Sequence, residues 1–128
     1  MKIYRVNNIK EFIFVIQSLS EKSTTDLFYR GLGDVKYNLL PALFRGDAKE
    51  VEDTVYLKIL AKCTNEFDSS MSHIDILSKM SHYKIYSRLL DITTNALVSL
   101  YYACDDKANI NNDGVVCVLK PDEAMIKK

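Results

Sequence analysis

Apolar residues recur at helical spacing in four stretches of the chain. In NNIKEFIFVIQSLSEK, Ile9, Phe12, Ile13, Ile16 and Leu19 fall on one side of a 3.6-residue period and predict a helix. Asn8, with Glu11 three residues on, has the chemistry of a capping pair at its start. The longest pattern runs from Asp47 to about Phe67, with Val51, Val55, Ile59, Cys63 and Phe67 spaced by four and Asp47 and Glu50 placed as a cap and its partner. SHIDILSKMSHY opens on a Ser-x-x-Asp box and sets Ile74, Leu77 and Met80 on one face, which predicts a third helix that delivers His82 and Tyr83 at or past its end. TTNALVSLYYACDDK predicts a helix from about Thr94, apolar nearly all round at Ala96, Leu97, Val98, Leu100, Tyr101, Ala103 and Cys104 and therefore deep in the domain.

Four other stretches suit extended chain. KIYRV (residues 2–6), TTDLFYRGL (24–32) and the β-branched run VVCVL (115–119) read as strands, and IYSRLLDI (85–92) as a strand or extended segment. Gly31 and Gly33 end the second of these with conformations that other residues resist. The order β-α-β-α-α-β-α-β predicts a single α+β domain over residues 1–128, a mixed sheet packed with about four helices. KPDEAMIKK starts like a helix, with Pro121 suited to its first turn, and then the chain stops, which reads as the N-terminal part of a longer protein.

Composition narrows the partners. Seventeen Lys+Arg balance seventeen Asp+Glu, so no global field favours nucleic acid or an anionic membrane, and any anion site must be local. The N-terminus lacks the apolar core of a signal peptide and no run is long enough to span a bilayer, so the expected address is cytoplasmic. Cys63, Cys104 and Cys117 are far apart, odd in number and set in apolar segments, which fits reduced core thiols rather than a disulfide framework or a zinc ribbon. No metal site and no phosphate-binding glycine loop is recognisable, so a site here must use side chains.

The polar residues that do not fit a core are the candidates. Arg30 follows Phe28 and Tyr29 and precedes Gly31, whose backbone lets a neighbour approach closely. A buried guanidinium needs either an internal carboxylate, for which Asp91 is the candidate, or a bound phosphate or carboxylate gripped by its planar fork. In SHYKIYSRLLDITTN, Arg88 would share a strand face with Leu90 and Leu89 with Asp91, so neither face is cleanly polar or apolar. A segment lining a site, or closing a salt bridge, shows that mixture. His82 reads as a cap, a satisfied buried group or a catalyst; Thr93, Thr94 and Asn95 as caps of the following helix; the tyrosines as core, rim or stacking surface.

FYRG (28–31), LLPALFR (39–45), MSHYKIYSRLLDITTNALVSLYYAC (80–104) and DGVVCVL (113–119) together resemble the FRG domain, a family of bacterial and phage proteins named for its Phe/Tyr-Arg-Gly motif. The resemblance covers about residues 26–119. It carries over Arg30, Gly31, Pro41, Arg45, His82, Tyr83, Arg88, Leu89, Leu90, Asp91, Thr93, Asn95 and Tyr101 as motif positions. Inside the hallmark segment this chain has Ser81 where Gln is usual, Lys84 for Gly, Tyr86 for Pro, Ser87 for Thr, Ile92 for Trp and Ala96 for Pro. A second likeness, at the level of fold alone, is to ADP-ribosyltransferases. It implies an incomplete core of that kind using NAD, with Arg30 on a pyrophosphate or ribose and Ser87 or Thr93 on the nicotinamide side. The catalytic glutamate would lie on a later strand, and only Glu123 follows VVCVL.

The resemblances imply an anion- or nucleotide-binding domain, with Arg30, Gly31, Arg45, His82, Tyr83, Arg88, Asp91, Thr93, Asn95 and Tyr101 as the binding set. The other classes are an ADP-ribosyltransferase-like enzyme and a non-catalytic module for a protein or nucleic-acid partner, its arginines forming an internal salt-bridge network.

Overall fold

A computed structural model describes residues 2–45, 52–63, 65–68, 70–105 and 111–121. The elements, in order, are helix α1 (Ile9–Glu21), strand β1 (Phe28–Leu32), a 3-10 turn (Ala42–Phe44), helices α2 (Glu52–Lys62), α3 (His73–His82) and α4 (Ala96–Cys104), and strand β2 (Val115–Leu119). The class is α+β. The chain divides into two compact units, Met1–Tyr37 with Ile92–Lys128, and Asn38–Asp91.

In the first unit β1 and β2 pair antiparallel, with Phe28 opposite Leu119, Arg30 opposite Cys117 and Leu32 opposite Val115. Among the described residues these two strands are the whole sheet, so the expected mixed sheet is here a two-stranded antiparallel one. Residues 2–6 have a strand's composition but no ladder partner among the described residues, and Ile3 is exposed. The segment 85–92 is irregular chain with a bend at Arg88 rather than a strand. Two of its backbone donors go to side chains: Arg88 N–H donates to Glu52 Oε1 at 2.9 Å and Leu89 N–H to Ser87 Oγ at 3.3 Å. Side-chain acceptors of this kind compete with a ladder. Past it, Tyr29 and Thr93 exchange backbone bonds of 2.7 and 2.9 Å.

The helix starts follow the sequence. Asn8 Oδ1 accepts from Glu11 N–H at 3.0 Å, while the Glu11 carboxylate accepts from Asn7 N–H at 2.8 Å and Asn8 Nδ2 at 2.9 Å. Ser72 Oγ accepts from Asp75 N–H at 3.3 Å, so the Ser-x-x-Asp box caps α3 as expected. Asn95 Oδ1 caps α4, accepting from Leu97 N–H at 2.9 Å and Val98 N–H at 3.4 Å. The expected cap residues Asp47 and Glu50 lie outside the described residues, as do Val51 and Glu123.

The second unit is built on Phe67, Ile76 and Met80, with Val55, Tyr56, Ile59, Leu60, Met71, Leu77 and Ile85 packed against them. Helix α3 ends in a Schellman motif: Ile85 N–H reaches Met80 O at 3.0 Å and Lys84 N–H reaches Ser81 O at 2.9 Å. Lys84 occupies the left-handed position with φ 59°. The resemblance implies glycine at this position, and the geometry gives the reason, since an L-residue there costs roughly 1–2 kcal/mol. Part of that cost returns with glycine's extra unfolded-state freedom. Lys84→Gly is therefore expected to stabilise the chain by up to about 1 kcal/mol, read as a rise in the urea midpoint.

Candidate functional site

Five of the candidate residues, Arg30, Gly31, Thr93, Asn95 and Tyr101, belong to the first unit. Arg45, His82, Tyr83, Arg88 and Asp91 belong to the second. Arg30 and Asp91, considered as a pair from the sequence, thus lie in different units.

Arg30 is half-buried on β1, with Cys117 at the paired position of β2. Antiparallel partners put their side chains on the same face. Burial pushes the Cys117 thiol above its ordinary pKa, which disfavours the thiolate and leaves it a poor nucleophile. The close approach that Gly31 permits is made by helix α4. A Cβ built on Gly31 would stand 1.9 Å from Ser99 O and 2.8 Å from Ala103 N, and one on Gly114 would stand 2.3 Å from Ala103 O. The helix answers with small residues: Ser99 and Ala103, one turn apart, are buried against the sheet.

That geometry corrects the expected depth of α4. Leu97, Val98, Tyr101 and Tyr102 are 50%, 40%, 58% and 63% exposed. A helix apolar on every side has only one face covered by a two-stranded sheet, and the close approach selects Ser and Ala for that face. Tyr101 donates its hydroxyl to Asp105 Oδ2 at 2.8 Å, and this bond to a carboxylate pushes its pKa up. Thr93 Oγ1 accepts from Asn95 N–H at 3.1 Å, and so helps shape the cap of α4.

In the second unit, Arg88 has a definite partner. Its Nε donates to Glu52 Oε2 at 2.7 Å, its Nη2 donates to the same oxygen, and its own backbone N–H reaches Oε1. Glu52 is buried at 6% exposure, and the Arg88 side-chain bonds hold its carboxyl below the usual range. A group whose folded pKa is depressed contributes stability above its unfolded value, about 4.3, and loses it as pH falls through the folded value. The stability gap between wild type and Glu52→Gln should therefore be widest at neutral pH. It should close only as pH falls through the depressed folded value, where Glu52 becomes as neutral as glutamine. Denaturant melts at three pH values check this.

Arg45 and Tyr83 also bond within their own unit. Arg45 Nε donates to Leu40 O at 2.8 Å, closing the turn around Pro41. Tyr83 donates to Glu66 Oε2 at 3.2 Å and packs its ring 6.4 Å from that of Phe67. Lys79 pairs with the same carboxylate at 3.2 Å. These bonds lower the Glu66 pKa, Lys79 first and Tyr83 second. Exposed pairs of this kind add little stability. His82 is the exposed last residue of α3. Ser87, 2% exposed, bonds Ser81 Oγ at 2.8 Å.

Two sequence readings need correction or addition. Cys63 and Cys104 are exposed free thiols rather than core residues, because each stands at or just past the end of its helix. Glu52 is the residue that sequence reasoning missed. An acid in the first turn of a helix reads as a dipole complement, and nothing local announces a partner 36 residues away. Among the described residues no group of three or more His, Cys, Asp or Glu is placed to hold a metal ion. No helix of the described residues is long and apolar enough to cross a membrane.

No curated protein and no solved structure matches the chain. A family model for the FRG domain matches residues 25–112. That span holds the Tyr29–Thr93 bridge, the glycine beneath α4, the Pro41 turn, the Schellman end of α3 and the Arg88–Glu52 pair, and on that match the chain belongs to the FRG domain family.

Proposed function

We propose that this FRG domain is a non-catalytic binding module whose motif residues hold its fold and whose partner is a protein that meets the outer face of α4. The observation that carries this reading is the Arg88 guanidinium in the grip of Glu52. The Arg88 side chain is more than half exposed, yet its Nε and Nη2 both serve one oxygen of a buried carboxylate, and a ligand phosphate that took those donors would leave Glu52 buried and unpaired, which makes the pair a brace. Gly31, Arg45 and Asn95 support it in the same way, each fitted to backbone of its own unit.

The outer face of α4 favours a protein over nucleic acid. Leu97, Val98, Tyr101 and Tyr102 are apolar or aromatic and carry no cation, whereas affinity for a phosphate backbone comes from Lys and Arg. Tyrosine is a residue enriched at protein interfaces. A cytosolic address fits the three free thiols.

The competing reading is a nucleotide site built on the arginines, with NAD as the candidate ligand. Thermal melts of wild type, Glu52→Gln and Arg88→Met, each with and without about 1 mM NAD or ADP-ribose, separate the two, because a ligand that binds the native state raises its melting temperature. The brace reading expects both variants to melt lower, Arg88→Met by more because it leaves Glu52 buried without its partner, and neither ligand to move the wild type. A wild-type melt raised by either ligand, with Arg88→Met melting normally but losing that rise, overturns it.

A further inference from the structure

The first unit contains a cleft of about 480 Å³ lined by Ser20, Ser23, Thr24, Thr25, Asp26, Leu27, Tyr29 and Thr94. None of the candidate arginines lines it. It lies where the end of α1, the segment entering β1 and the residue after Thr93 converge, and the two-way Tyr29–Thr93 backbone bridge fixes that convergence. The volume is within the range of small-molecule sites.

The polar groups of the lining differ in their commitments. Ser23 Oγ donates to Thr25 O at 2.8 Å and is committed to the chain itself, whereas Thr25 Oγ1 is buried with no hydrogen-bond partner among the described residues. The hydroxyls of Ser20, Thr24 and Thr94 and the carboxylate of Asp26 are exposed and make no hydrogen bond or ion pair among the described residues. Leu27 and the ring of Tyr29 supply the apolar part of the wall, and burial raises the Tyr29 pKa, so the phenol stays neutral.

Three hydroxyls that donate and accept, one carboxylate that only accepts, and no Lys, Arg or His make a specific complement. An anion would meet Asp26 and no counter-charge. A cation would find one exposed carboxylate, which is worth little by itself. A neutral molecule dense in hydroxyls can donate to Asp26 and exchange bonds with Ser20, Thr24 and Thr94 while its C–H face lies on Leu27 and Tyr29. We infer that this cleft binds a neutral polyhydroxylated ligand of about monosaccharide size, a site separate from the arginines and independent of the α4 surface.

The test follows backbone amide shifts of Thr24, Asp26, Leu27 and Thr94 in the whole chain during titration. The probes are glucose, ribose, adenosine, inorganic phosphate and spermidine, each to about 10 mM, where a site of millimolar Kd is filled. A neutral sugar should move these amides saturably, and Asp26→Ala and Thr94→Val should each weaken binding about tenfold without changing the melting temperature. Ribose and adenosine acting alike while glucose fails would assign the site to a ribose. Glucose acting as well as ribose would assign it to free sugars. Phosphate or spermidine shifting the amides where neutral probes do not, or no probe shifting them, overturns the proposal.

Discussion

Gly31→Ala is expected to cost about 3 kcal/mol or more. The new Cβ would lie 1.9 Å from Ser99 O, far inside contact distance, and the obstacle is backbone. A flexible side chain could rotate away, but a helix carbonyl cannot, so α4 must lift off β1 and uncover Tyr29, which shares the face of Gly31 and is 5% exposed. Ser99→Gly should fail to rescue the variant, because the offending oxygen belongs to the main chain. Gly114→Ala should follow the same course through Ala103 O, at 2.3 Å. Urea denaturation followed by circular dichroism reads both. A Gly31→Ala chain of wild-type stability would show that the glycine of the motif is kept for something other than packing.

Met80→Ala should cost about 2–5 kcal/mol. Met80 is fully buried at 0% exposure and sits with Phe67 and Ile76 at the centre of the second unit. Its loss leaves a cavity between helices α2 and α3, and it also removes the side chain against which Ile85 packs after the Schellman turn. The turn should loosen with the core, so protection of the Ile85 amide from hydrogen exchange should fall along with the denaturation midpoint. Met80→Leu, which nearly conserves volume, should cost less than about 1.5 kcal/mol. Equal losses for the two variants would mean that the thioether, rather than packing volume, matters here.

What the sequence made legible was local. Asn8 with Glu11, Ser72 with Asp75 and Asn95 at α4 are short-range devices whose partners lie within three residues, so their chemistry could be read along the chain. Residues 28–32 and 115–119 were readable as strands because β-branched and aromatic residues cluster there. The third strand was not readable as a loop, since IYSRLLDI has a strand's composition and only the bonds from Arg88 and Leu89 to side chains show why its donors leave the ladder. The depth of α4 failed for a related reason. Its apolar residues are visible in sequence, but which face is covered depends on how closely two glycines let the sheet approach. For the site, motif positions were legible and their partners were not, because a pairing such as Arg88 with Glu52 spans 36 residues and is set by the fold of the whole second unit.

The central claim is that Arg88 serves the fold through Glu52. The direct measurement is an NMR pH titration of the Glu52 side-chain carboxyl carbon in wild type and in Arg88→Met, repeated in wild type with NAD and ADP-ribose. The account predicts a Glu52 pKa below the ordinary range in wild type, a rise in Arg88→Met, and no change with either nucleotide. An ordinary Glu52 pKa in wild type, or one that rises when a nucleotide draws Arg88 away, would contradict it.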